Sequence, residues 1–409
     1  MAQCCHFTVG ILLSLGLWVG STATSATALT LYVSPTGDDG NPGTIAAPLR
    51  SIQTAIDRVG NQGGTVWLRG GIYELYQQIW VGTIATATRR LIIKAYPGEK
   101  PILDGTHVTG TYPQMLSIGG QYIDVEGLEL RNAPDVSLST WEAKNIRLRR
   151  NVVHHSFKTG IGIYNSSDVW VSQNTVYMTN LSNSSHTISG GWGMGISAGR
   201  SQNVTIANNT SFNNHGEGIG CFLAQNCRIV GNRVYDNYSV EIYLDNATQS
   251  CVAANLVYST GDTRFYRYPW PASGIQMANE DYGADSNPLS DITITNNIVV
   301  NSGDGLVYGS YQKGGGLKRT RIFNNTFYKG IHTLVSLDRD ANHEDTSIIN
   351  NLFVQSGSGQ MTYIPAVNGL TFRSNLWFGG EPTAIATSPS DLRVNPRFVA
   401  PGKFTAASY

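Results

Sequence analysis

Charge is scarce in this 409-residue chain. Only 14% of its residues are Asp, Glu, Lys or Arg, against about 25% in an average soluble domain. Twenty-eight basic residues are balanced by twenty-eight acidic ones. No general basic surface exists to hold a phosphate backbone, which argues against nucleic acid as a partner. Long apolar runs are also missing. Val9 to Gly20 is the longest, too short to span a bilayer, and no membrane span is expected. Cys221, Cys227 and Cys251 show no CxxC and no His/Cys cluster with zinc spacing, which argues against a zinc module. Glycine (45) and asparagine (32) are abundant instead. Both favour turns, and turns in such number imply β-structure.

The amino terminus reads as a targeting segment. The apolar run ends in small residues, and Ala26-Thr27-Ala28 offers a cleavage site. Residues 1–28 are therefore expected to be a signal peptide, and the mature protein to be secreted into the periplasm or medium. Cys4 and Cys5 leave with it. Cys221, Cys227 and Cys251 remain, an odd number, so at least one thiol stays free. Whether Cys227 and Cys251 pair is open.

One short phrase recurs along the rest of the chain: an alternating apolar run, one or two asparagines, and a second apolar run. It stands around Asn151, Asn174, Asn209, Asn232, Asn255, Asn297, Asn325, Asn351 and Asn375, and Gly127 takes the place of Asn in an earlier copy. The shortest spacings cluster near 23 residues, the signature of a solenoid with occasional insertions. Within each copy the period is two, and Val, Ile, Thr and Phe dominate, as in strands. Asn fits the turn because it tolerates left-handed backbone and can hydrogen-bond to the Asn one coil away. A parallel β-helix follows. Helical spacing in residues 49–59, with Ser51 as N-cap, predicts a short helix that covers the open front end.

LYVSPTGDDGNPGTIAAPLRSIQTAIDRV, followed by GGTVWLRGGIYE, resembles the opening of secreted right-handed parallel β-helix proteins, among them the family 9 pectate lyases. The resemblance implies an all-β, single-stranded right-handed parallel β-helix with a cleft on one sheet face. The expected organisation is residues 29–104 as cap and first coils, 105–380 as the coils, and 381–409 as a tail. The protein is expected to be a monomer. Family 9 pectate lyases hold calcium with clustered aspartates and use a lysine base. No equivalent aspartate cluster is legible here, so pectate specificity does not carry over.

A second register locates the chemistry. Ile161, Ile196, Ile219, Ile242 and Ile275 occupy equivalent places and are expected to stack inward, so residues at odd offsets should point outward. Glycine is the commonest residue there, with Ser197, Gln276, Tyr164, Phe222 and Ala278 at scattered places, while Glu241, Tyr243 and Asp245 rise together from one rung. Long variable segments precede this strand and would wall a groove. The catalytic candidates are Glu241, Tyr243, His215, Glu217 and Lys158. Glu217 has inward parity if the strand reaches it and is therefore expected on the loop. The substrate-binding candidates are Asp245 on the same rung as Glu241, Asp236 in the loop one rung after His215, and Arg264, Arg267 and Trp270, where Arg alternating with aromatics suits carboxylate pairing and sugar stacking. Glu241 and Asp245 are candidate calcium ligands. The leading function is a polysaccharide lyase that cleaves a uronate-containing polymer by β-elimination. A carbohydrate-binding surface protein, and a hydrolase or epimerase on the same fold, are the alternatives. Two carboxylates four residues apart on one strand sit roughly 13 Å apart at the backbone, which weakens Glu241 with Asp245 as a simple hydrolase pair.

Overall fold

A computed structural model describes residues 28–404 except 111–112, 287, 312–314, 338–341 and 367. Almost all of the expected signal segment lies outside the described residues. Three parallel sheets run the length of the molecule, with 13 strands in sheet I, 12 in sheet III and 11 in sheet II. Each coil passes from sheet I through a tight turn into sheet III, then through a loop into sheet II, and back. Every paired strand is parallel to its neighbour one coil away. Inward-facing Val, Ile and Leu from all three sheets form one continuous core.

The asparagine ladder fixes the rungs. From Asn151–Asn174 to Asn351–Asn375, each side-chain amide donates to the next Asn Oδ1 at 2.9–3.1 Å. The left-handed residue is the one before each ladder Asn, such as Arg150 (φ 55°) and Gln173 (φ 58°). Gly127 (φ 75°) belongs to this second column. The position facing Asn151 is Leu128, whose N–H donates to Asn151 Oδ1. The first two rungs are thus 23 residues apart, not 24.

A helix at Ile52–Val59 covers the front, with the Ser51 hydroxyl accepting from Thr54 N at 3.2 Å. Its buried face is Ile52, Ala55, Ile56 and Val59. At the other end Asp391 closes the ladder, accepting from Asn375 N and from the Trp377 indole. The chain then returns along sheet III, where Phe398 and Phe404 pack on Tyr328 and Tyr258. Cys221 and Cys227 are joined, and Cys251 is buried.

Candidate active site

Sheet II carries the site. Its strands pair in the expected register, with Ile161, Ile196, Ile219, Ile242 and Ile275 aligned and buried. Tyr243 and Asp245 lie on the open face, aligned with Gly220 and Phe222 of the preceding strand. Over them, Met194, Val240, Tyr243 and Ala278 form a small apolar cluster outside the main core, with Phe222 packed on it. A cavity of about 430 Å³ opens beside this cluster.

Glu241 is not in it. The strand Val240–Asp245 begins right after the sharp turn from sheet III, so alternation counted back from Ile242 fails at the corner. Glu241 is 1% exposed, and its carboxyl accepts from Asn237 N at 3.1 Å and Asn237 Nδ2 at 2.5 Å. Burial pushes its pKa well up. Gly218, one coil earlier, shows the direction of this column, because a Cβ there would meet Val234 and Asn237 inside the corner. The outward place falls one residue sooner, on Met194, Glu217, Val240 and Ser273.

Glu217 is therefore the groove carboxyl, and it sits at the start of the strand Glu217–Phe222 rather than on the loop. Its Oε2 is buried without a hydrogen-bond partner among the described residues. Loss of solvent, and then the nearby carboxyls of Glu280 and Asp245, push its pKa up to about 8. Asp245 faces the same cavity and is raised to about 7, mainly by burial, with the Tyr282 hydroxyl donating to Oδ2 and pulling the other way. The Tyr243 hydroxyl donates to Glu280 Oε1 at 2.6 Å, and burial raises its pKa far beyond the usual range. Opposite stands Arg267, the one Lys or Arg among the described lining residues. Its guanidinium lies 4.4 Å from the Trp192 ring centroid and donates to Ser239 Oγ at 3.4 Å. Among the described residues it forms no ion pair within 4.0 Å.

The remaining candidates fall elsewhere. His215 lies behind the wall, its Nδ1 2.9 Å from His186 Nε2, and burial lowers its pKa to about 4. Its carbonyl accepts from Asn180 and Asn183, so it anchors the loop that carries Trp192. Asp236 accepts from Ser259 and Thr260 and closes a turn. Lys158 lies outside the cavity, beside the Phe157 ring. Arg264 pairs with Asp262 in solvent, and Trp270 stacks on His332 at 4.5 Å. Gln276 lines the cavity, as its outward place in the register predicts, whereas Glu280, Tyr282, Tyr311 and Trp192 were missed. Glu280 was reachable: it lies two residues beyond Ala278, at the next odd offset from Ile275.

The expected calcium ligands do not converge, since Glu241 turns into the corner and Asp245 into the cavity. Among the described residues, no three His, Cys, Asp or Glu stand as a cation cage. Calcium therefore supplies no step in the chemistry below.

Residues 31–241, just over half of the chain, match the family described as "Pel9A-like, right handed beta helix region". The chain belongs to that family. Residues 176–353 also match a general right-handed β-helix region. A pectate lyase of Emericella nidulans is 33% identical over 153 residues, covering 34% of this chain and 37% of that protein. A pectate disaccharide-lyase of Dickeya chrysanthemi is 31% identical over 169 residues, covering 40% of this chain and 19% of that protein. The chain thus aligns with well under half the length of these relatives. Among solved structures, pectate lyase Pel9A is similar at a TM-score of 0.51 and 16% identity, over 91% of this chain and 82% of that one. A lacto-N-biosidase from Eubacterium ramulus is similar at 0.61 and 15% identity, over 85% and 67%. At such identities the likeness shows the fold alone. The protein is a pectate-lyase-like right-handed parallel β-helix. The family match stops at residue 241, before Asp245, Arg267, Glu280 and Tyr282, so it does not carry the site.

Proposed function

We propose that this protein is a secreted enzyme that cleaves a uronate-containing polysaccharide by β-elimination in the sheet II groove. Glu217 is the acid, Asp245 the base, and Arg267 the receptor for the uronate carboxylate. One observation carries the proposal: Glu217 and Asp245 share a cavity in which burial holds both pKa values near neutrality, at about 8 and about 7. Between these values, a fraction of molecules holds Glu217 protonated and Asp245 ionised, the pair that acid–base cleavage needs.

The step balances without a further reagent. Asp245 takes the proton on the carbon next to the uronate carboxyl, and that C–H pair becomes the new C=C bond. The C–O bond to the leaving sugar breaks, and its electron pair goes to the oxygen, which takes the Glu217 proton. The planar Arg267 fork faces the carboxylate and stabilises the charge that develops there. An acidic polymer is tolerated because burial keeps Glu217 neutral and Arg267 supplies a positive charge. The pectate lyase relatives support elimination as the reaction.

The test incubates the protein with pectate, alginate, glucuronan and glycosaminoglycans, with calcium or with chelator. Ultraviolet absorbance of the unsaturated uronate and reducing ends are followed together. Absorbance that rises with the unaltered protein, and falls by at least about a hundredfold in Glu217→Gln, is expected. Reducing ends without absorbance would replace elimination by hydrolysis on the same pair. Neither signal on any polymer would overturn cleavage altogether.

A further inference from the structure

A second cavity, of about 590 Å³, lies at the turn between sheets II and I. Its walls are hydroxyls and amides from successive coils, chiefly Gln202, Gln225, Thr248 and Ser290. Parallel pairing from coil to coil puts them in one row, since Gln202 pairs with Gln225, and Thr248 bridges both Gln225 and Ser290. No carboxyl side chain is among its described lining residues. Arg200 at the rim has its charge met by Asp285 at 2.5 Å. This is a lining without net charge, rich in both donors and acceptors.

The two cavities share a wall. Glu280 and Tyr282 line the acidic cavity, and Pro288 and Ser290, a few residues further along the chain, line the polar one. The neighbours Asp245 and Asn246 are divided between the cavities in the same way. Asn246 is 1% exposed. Its Oδ1 accepts from Glu280 N at 2.7 Å, while its Nδ2 is buried without a partner among the described residues. A buried amide donor left unmet is unfavourable.

We propose that this polar cavity is a distal subsite, which binds the uncharged hydroxyl face of a sugar unit further along the polymer cleaved at Glu217. It rests on the proposed function for the identity of the polymer. Amides and hydroxyls in one row match the vicinal hydroxyls of a sugar ring, each able to give and accept. Aromatics are absent from the described lining, so hydrogen bonds rather than stacking hold the ring. The polymer crosses the loop at residues 281–286 to reach it.

The experiment uses the full chain carrying Glu217→Gln, to prevent turnover, and titrates oligogalacturonates and xylo-oligosaccharides of two and six units by calorimetry. Gln202 and Gln225 are exposed, so Q202A/Q225A leaves the fold intact. Loss of two ligand hydrogen bonds should weaken six-unit binding about tenfold and leave two-unit binding unchanged. Thr248→Trp, which fills the cavity, should act the same way. Equal losses at both lengths, or no loss at either, would overturn the subsite. Polymer cleavage by the unaltered protein with no such length effect sinks the subsite alone. Absence of both cleavage and binding sinks the function with it.

Discussion

Glu217 owes its chemistry to one geometric fact: it takes the outward place that Val240 holds on the next coil, but under a roof made by Trp192 and Arg267. A carboxyl in such surroundings keeps its proton because the charged form has lost its water. Activity should therefore follow a bell-shaped pH profile, rising through about 7 as Asp245 ionises and falling through about 8 as Glu217 loses its proton. The profile of kcat/KM checks this, and a plateau extending above pH 10 would remove Glu217 as the acid. Glu241 should behave otherwise. Glu241→Gly restores the residue found at Gly160, Gly195, Gly218 and Gly274 in the same corner column. It should lower the melting temperature by several degrees and spare kcat, whereas a catalytic role would lose activity at unchanged stability. Tyr243 and Asp245 were legible as outward residues because the strand is regular beyond Ile242. Glu241 and Glu217 were not, because a corner rotates the backbone by an amount that no two-residue period encodes.

At the level of the element, the ladder and the loops are read with unequal ease. Asn232 shows why the ladder is legible: Nδ2 gives to Ile206 O and Asn255 Oδ1, while Oδ1 accepts from Asn209 N and Nδ2. All four groups are buried, so each coil must supply the same amide at the same place, and the repeat shows in the sequence. Asn232→Ala should leave these partners unmet and cost about 2–4 kcal/mol, read as a shift in the denaturation midpoint. A change below about 0.5 kcal/mol would mean that the ladder is ornamental. The loops into sheet II carry no such repeat. His215 was a catalytic candidate in the sequence, yet it ties down residues 180–186 through His186, Asn180 and Asn183. Pairings between loops of different coils, such as Arg267 on Trp192, leave no trace in spacing.

A solenoid of this length has two ends at which parallel strands stop, and each end must be covered or it will pair with another copy. The carboxy-terminal end is closed by Asp391 on the last ladder residue and by Leu392 bridging Leu376. At the front, the helix Ile52–Val59 packs on the strands Leu29–Val33 and Gly64–Leu68, with Ala55 fully buried. Ala55→Asp forces a carboxylate into that contact, at a cost of several kcal/mol unless the helix lifts away. Lifting it bares the first coil. The expected outcome is association: light scattering should report larger species for the variant than for the unaltered chain at the same concentration. The central coils should keep their hydrogen-exchange protection, because each coil is stabilised by its immediate neighbours. An unchanged particle size with an unchanged melting temperature would show that the helix is not the cap. Global unfolding instead of association would show that the coils depend on the front end as one cooperative body, and the nearest-neighbour description would then fail for this molecule.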